Sequence, residues 1–321
     1  LVDVAGRPVT QLRALGRYAL SWLWFLPPLA AIAPFRLSAG ESVVILLGWV
    51  AVYALLFLLS LFILMPIGWM LTAALKPDTA PIFTFPPEWF PTEYWYWPTF
   101  VQALTNPDRP FLRYALNSAL ISGLAIVGSV ISCSLIAFPF ARLRFRGREK
   151  LFAVVLATML LPGPILVIPQ FLLFFRIGWY GTYLPLIVPW FFGNAFLIFL
   201  VRQYMRTLPP ELDEAARLDG ASYWQVYWQI ILPLSGPALA VVAVFTFLWT
   251  WNDFFAPLLY IDSQEQFTVA LALATFVRSQ GGVQWNEMMA ANLFSILPVL
   301  IVYFLAQNKL IGGIASVGLK G

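Results

Sequence analysis

Side chains able to do chemistry are few in this chain. Histidine is absent from all 321 residues, which removes the commonest general base and metal ligand. The one cysteine, Cys133, sits inside an apolar run. It can build neither a disulfide framework nor a cysteine-based metal site, and the thiol reads as buried and inert. Glu88 and Glu93 lie five residues apart in a stretch rich in proline and tryptophan, with nothing converging on them. A solvated surface is expected there rather than an acid–base pair. No G-x-x-x-x-G-K-[ST] loop occurs, so ATP hydrolysis is not expected of the chain itself. Trp251-Asn252-Asp253-Phe254 places an acid near the end of an apolar run. Such an acid faces a bundle interior or a wet cavity, and both a helix-capping role and a place along a polar path fit it. Gln170, Asn194 and Asn292 are single polar residues in other apolar runs, suited to interhelical hydrogen bonds or to solute contact. Gln170, Asn194, Asn252 and Asp253 are the candidate pathway residues.

The elements that must position these residues are membrane helices. Hydrophobic residues make up 61% of the chain and charged ones only 11%, against roughly a quarter charged in soluble domains. The reading is all-α and polytopic, with six spans: Val43 to Leu75, bent near Pro66; Leu116 to Phe140; Leu151 to Phe175, bent near Pro162 and Pro164; Tyr183 to Val201; Pro237 to Leu259; and Met288 to Ala306. Ser118, Ser122, Gly123, Gly128, Ser129, Ser132 and Ser134 suit close helix packing in lipid. Arg142, Arg144, Arg146, Arg148 and Lys150 crowd one short loop, which marks the cytoplasmic side. Counting from it puts both ends and the 209–233 loop inside, and the Asp262 to Asn286 loop outside. The net charge of +4 reports this topology, not nucleic-acid binding.

Residues 1–42 form an N-terminal extension and 43–321 the membrane domain. The apolar segment Ala19 to Pro34 is barely long enough to cross. If it spans, Arg7, Arg13 and Arg17 move outside, so an interfacial or re-entrant segment is favoured over a seventh span. No cleavable signal peptide is expected, since that run lacks a small-residue cleavage site and is broken by Pro27-Pro28.

The longest polar interruption in the second half is Pro209 to Pro233. Pro209 and Pro210 suit a first helical turn. Glu211, Asp213 and Glu214 follow at the helix N-terminus, where the macrodipole favours acids. Gly220 can end that helix in the left-handed conformation. A second helix is expected from about Ala221, stopped at Pro233, with Trp224, Val226, Tyr227 and Ile231 on one face. A surface-lying amphipathic loop and a partner-docking element both fit the pattern. A DNA-reading helix-turn-helix fits poorly, because the element is acidic.

Glu214-Ala215-Ala216, then Gly220, Ile230 and Leu232-Pro233, resembles the EAA loop of ABC-importer membrane subunits. Trp251-Asn252-Asp253-Phe254-Phe255-Ala256-Pro257, Phe267-Thr268-Val269, Trp285 and Met289-Ala290 look like the carbohydrate branch of that family. The end of the chain, from Phe304 through Gly312-Gly313 to Gly318-Leu319-Lys320-Gly321, is similar to the MalG-like tail. The similarity covers roughly Val43 to Gly321, and the stretch before about Ser42 departs from it.

The resemblance implies a multi-pass subunit of a bacterial cytoplasmic (inner) membrane importer for a sugar or oligosaccharide. It would work with a second, MalF-like permease subunit, two ATP-binding subunits and an extracytoplasmic solute-binding protein touching Asp262 to Asn286. Glu214, Ala215, Ala216, Asp219, Gly220, Trp224, Ile230, Leu232 and Pro233 would couple to the ATPase, with Glu214, Ala215 and Gly220 at the joint and Trp224 and Tyr227 toward the partner or the membrane surface. Gly318, Lys320 and Gly321 would reach between the ATPase subunits. This chain would bind no cofactor, ATP and Mg being used by the partners. The competing class is a secondary transporter acting without an ATPase. It calls for paired intramembrane ionisable groups, and Asp253 is the one strong candidate of that kind. A membrane enzyme is disfavoured by the missing histidine.

Overall fold

A computed structural model describes residues 39–77, 80, 82–86, 88–92, 94–276 and 284–318, with backbone alone at 39–46 and 308–318. The expected interfacial segment Ala19 to Pro34, Glu93, and the tail residues Lys320 and Gly321 lie outside the described residues. The chain divides into two units between Trp69 and Met70. Helix α1, Ala39–Ala74, runs through Pro66 as one element and supplies the whole described part of the first unit. Within it the Ser60 hydroxyl donates to Leu56 O at 2.8 Å, so this polar group is satisfied inside its own helix.

The second unit is organised around α3, Phe111–Arg142, which follows the short α2, Pro98–Thr105. The hydroxyl residues expected to allow close packing along α3 also bond to four other segments. Ser118 accepts from Val269 N at 2.9 Å, and Thr250 donates to Ser122 at 2.9 Å. Ser132 donates to Trp190 O at 3.0 Å, and Ser134 lies 2.8 Å from the Tyr227 hydroxyl. At Gly128 a Cβ would stand 2.5 Å from the Phe191 ring, so glycine is what leaves room for that ring against α3.

The third span is broken. Helices α4, Arg148–Thr158, and α5, Gly163–Arg176, meet at 91°. Pro162, in extended backbone, ends the break as the N-cap of α5, and Pro164 stands in the first turn of α5, where a missing N–H costs little. The expected Tyr183 to Val201 span is present within Leu184–Thr207, but not as one regular helix. It comprises α6, Leu184–Ile187, a 3₁₀ turn at Val188–Phe192, and then α7, Ala195–Thr207, entered through Gly193 at φ +87° and Asn194.

Helix α8, Glu211–Leu218, is followed by α9, Tyr223–Leu234, and α10, Gly236–Trp251. The expected span to Leu259 stops at Trp251 and resumes as α11, Phe255–Tyr260. The Asp262 to Asn286 stretch was expected as an outer loop. Instead it contains α12, Val269–Thr275, whose Val269, Leu271 and Ala272 are buried. The last helix, α13, Trp285–Gly318, is longer than the span expected within it. Among the described residues four helices are long and apolar enough to cross a membrane, or six if each bent pair counts as one span.

Besides a cluster that joins Ile121 of α3 to Leu186, Tyr260, Ile261 and Leu271, two buried clusters sit along α3. One joins Cys133, Ala137 and Phe138 to Leu197, Val201, Met205, Tyr227 and Val242. The other joins Phe111 and Tyr114 to Phe247, Trp251, Val269 and Ala291. Near the second, Arg113 pairs with Glu265 at 2.7 Å, and Asn117 donates to the carbonyls of Glu265 and Phe267. These contacts pin the segment before α12 to the start of α3.

Candidate functional site

The 209–233 loop is a pair of helices held at both ends of its turn. Pro210 precedes α8 as its N-cap, and Glu211, Asp213 and Glu214 occupy the first turn. The C-terminus closes as a Schellman motif. Ala221 N donates to Ala216 O at 2.9 Å and Gly220 N to Arg217 O at 3.1 Å, with Gly220 at φ +87°. Ser222 and Gln225 then form a reciprocal capping box at the start of α9, at 2.7 and 3.3 Å. The Arg217 guanidinium lies 4.6 Å from the centre of the Tyr223 ring and so links the two helices across the turn. Both helix ends that meet at the turn thus have their free backbone groups satisfied locally.

The two helices differ in what they bury. In α9, Val226, Tyr227 and Ile231 enter the cluster formed by α3, α7 and α10. Tyr227 was expected to face a partner or the membrane surface. It is only 2% exposed, stands 5.2 Å from the Phe138 ring and reaches Ser134. Trp224 covers it from outside, the ring centres 5.6 Å apart. Pro233 does not stop α9. The helix widens into a π segment over Val226–Ile231 and carries on to Leu234. The wider turn accommodates a proline that has no N–H to donate four residues back.

Helix α8 leaves most of its surface free. Glu214, Ala215, Asp219 and Gly220 are exposed, while Ala216 packs on the core below. Leu218, a residue the sequence reading passed over, is 90% exposed at the tip of the turn. Its signal was a bulky apolar side chain in the last turn of a helix that opens with three acids. Toward the other end of the loop, Ile230 and Leu232 are half-buried against the same core, and Pro233 is exposed.

Arg142, counted in the sequence only as a topological charge, is the clamp that holds α8. It donates to Leu208 O at 3.0 Å and to Pro209 O at 3.3 Å, and its Nε stands 3.4 Å from Asp213 Oδ2. Burial pushes the Asp213 carboxyl above its usual range and outweighs the Arg142 charge that pulls it down. Beside this clamp, Arg202 is 4% exposed. It donates to Phe140 O at 3.1 Å, to both Glu149 oxygens at 3.2 and 3.0 Å, and lies 3.8 Å over the Phe152 ring. Hydrogen bonding from Arg148, helped by the Arg202 charge, holds the Glu149 carboxyl below the ordinary range. The ends of α3, α4 and α7 are thereby tied together directly beneath the loop.

The pathway candidates do not form one cluster. Asn194 caps α7, accepting from Phe196 N and Leu197 N at 3.0 and 3.2 Å. Asn252 donates to Leu248 O at the end of α10, and Asp253 accepts from Ala256 N at 3.1 Å at the start of α11. Gln170 is exposed on α5. Three of the four thus serve helix breaks. Asn292 bonds back to Met288 O within α13. Glu88 stands 3.8 Å from Lys76 and has no part in an acid pair among the described residues. Of the proposed tail contacts, Gly318 is the last residue of α13.

Bent and broken apolar helices around a long central one, with a capped polar helix pair between spans, define a polytopic membrane permease. The chain belongs to the family described as the inner membrane component of binding-protein-dependent transport systems, which matches residues 131–314. It is 33% identical to the trehalose/maltose transport system permease protein MalG of Thermococcus litoralis, over 82% of this chain and 94% of that protein. It is 29% identical to the diacetylchitobiose uptake system permease protein NgcG of Streptomyces coelicolor, over 82% of this chain and 86% of that one. Its fold also matches a chain in the crystal structure of a bacterial ABC transporter involved in the import of the acidic polysaccharide alginate. That match has a TM-score of 0.72 and 22% identity, and covers 86% of this chain and 99% of the other. The protein is a multi-pass inner-membrane subunit of a transport system.

Proposed function

We propose that this chain forms part of the path by which a sugar or oligosaccharide is imported, and that its energy arrives from separate ATP-hydrolysing subunits docked on the 209–233 loop. The observation that carries the reading is the exposed face of α8, next to a turn whose two helix ends are both capped. There an exposed carboxylate, Glu214, accompanies an uncovered leucine, Leu218, on a rigid turn. An apolar anchor with a charged neighbour suits a cleft on a partner protein. Because α9 is buried in the core, a push on α8 travels to α3 through Tyr227 and Ser134. ATP and Mg would be bound by the partners, and the loop would face the cytoplasm with the basic 142–150 loop and both termini. The saccharide class rests on what the relatives named above transport. Asn194, Asn252 and Asp253, at helix breaks, and the exposed Gln170 are the proposed path-lining residues, since broken helices are where polar groups line a path through a membrane. A transporter acting alone has less support, because the family works with a binding protein.

The test is reconstitution with the co-expressed partner subunits. Glu214→Lys is expected to leave the chain inserted while abolishing solute uptake driven by ATP. Normal uptake by that variant refutes docking at α8. Deleting Val317 to Gly321 is expected to weaken coupling without preventing assembly, and unchanged stimulation of ATPase by loaded binding protein argues against a role for the tail.

A further inference from the structure

The turn joining α3 to α4 carries more positive charge than the structure uses. Segment 142–150 holds five cations and one acid, Glu149. Arg142 is engaged with the 209–233 loop. Arg148 folds back on Glu149 at 2.8 Å and donates to Leu143 O at 3.1 Å. Glu149 is also held from beneath by Arg202, so its charge is already matched twice. Arg144, Arg146 and Lys150 remain exposed, with no hydrogen bond or ion pair among the described residues. Gly147, at φ +86°, makes the turn that gathers them. Arg144 and Lys150 line an open cavity of about 420 Å³ together with Phe145, Gly147, Arg148 and Glu149, and Arg146 belongs to the same turn.

The surroundings of this cavity are apolar on the side toward the membrane helices. Phe145 is exposed at its rim, and Leu151 and Val154 are exposed on the first turns of α4. We propose that this basic turn binds the phosphate of an anionic phospholipid headgroup, with the acyl chains lying along Leu151 and Val154. A free phosphate or a nucleotide offers the same anion but has no use for the apolar flank, which favours the lipid as the source. Basic pockets between membrane helices recognise anionic headgroups in this way. A purely topological role needs only charge near a helix end and leads to no saturable site in the folded protein. The proposal rests on α3 and α4 being membrane helices and is independent of ATPase docking at α8.

The experiment is native mass spectrometry of the full chain in mild detergent, titrated with phosphatidylglycerol or phosphatidylcholine, in the presence or absence of millimolar sodium phosphate or ATP. Saturable retention of phosphatidylglycerol is expected, unaffected by phosphate or ATP, with phosphatidylcholine bound more weakly. Each of Arg144→Gln, Arg146→Gln and Lys150→Gln is expected to weaken retention about fivefold. Equal retention of the two lipids, or unaltered binding by the variants, overturns the proposal, and displacement by phosphate or ATP shows a soluble-anion site instead. Should the variants insert poorly, a photoactivatable phosphatidylglycerol on the wild-type chain decides the matter. Labelling within 143–154 supports the site, and labelling confined elsewhere refutes it.

Discussion

Replacing Ser134 with alanine tests whether the 209–233 loop is locked to α3 by a directed hydrogen bond. The Ser134 hydroxyl lies 2.6 Å from Val130 O and 2.8 Å from the Tyr227 hydroxyl. Its single proton serves the shorter contact, so the Tyr227 O–H is the donor in the pair. Both side chains are almost fully buried, at 1% and 2% exposure. Tyr227→Phe removes a donor and leaves Ser134 still bonded to Val130, which costs about 1 kcal/mol. Ser134→Ala removes the acceptor and leaves a buried hydroxyl without a partner, which costs about 2 kcal/mol. The double variant lacks both polar groups and is expected to recover most of that difference. The assay is a double-mutant cycle of unfolding in detergent, alongside solute uptake per ATP hydrolysed in the reconstituted system. Ser134→Ala should be the less stable single variant and the more poorly coupled one. If it matches or exceeds the stability of Tyr227→Phe, or if the two effects simply add, the assigned donor direction and the lock are both wrong.

Leu218→Ser removes the exposed apolar tip of the turn. It is expected to leave folding within about 0.5 kcal/mol, as for surface changes generally, yet to weaken co-purification of the ATPase subunit. Unchanged co-purification rules Leu218 out as an anchor. Gly220→Ala meets nothing within 4 Å, so its cost, about 1 kcal/mol, is that of holding an L-residue at positive φ. By contrast, Gly128→Ala drives a methyl group into the Phe191 ring and is expected to be the worse of the two in thermal unfolding. Asp213 carries a raised pKa, so the folded state holds its proton more tightly than the unfolded one. Its contribution to stability therefore falls as pH rises from the ordinary value of 3.8 through the raised value, and is flat above it. Asp213→Asn is expected to abolish that fall. An identical pH dependence in the variant contradicts the burial of this carboxylate.

The spans were legible because crossing a bilayer demands long apolar runs, and the loop was legible because caps and prolines are local signals. Pro162 and Pro164 announced the break between α4 and α5. The breaks at Gly193-Asn194 and after Trp251 were less visible, since a capping Asn or Asp inside an apolar run looks the same as one bonding a neighbouring helix. Helix α12 read as loop because its burial comes from Tyr114, Ser118 and other residues of α3, distant in sequence. Leu218 was overlooked because exposure belongs to the folded chain. Tyr227 was assigned outward with Trp224, and that pairing failed because Tyr227 has a partner on another helix, Ser134. Arg142 and Arg202 were counted as charge, while their work is hydrogen bonding to carbonyls and carboxylates that only the fold brings near.

The π segment at Val226–Ile231 makes the loop sensitive to length. A π turn holds one residue more than the α turn it replaces. Inserting one residue beyond the one the π turn already absorbs would rotate everything on one side of it by about 100° relative to the other. Tyr227 would leave Ser134, and Leu218 and Glu214 would point to a different azimuth, with every residue type unchanged. In this stretch the count of residues sets the phase between the exposed face of α8 and the membrane helices, as tooth number sets the timing of a gear train. Substitutions there are graded in effect, whereas a further single-residue insertion changes the orientation of the whole element at once.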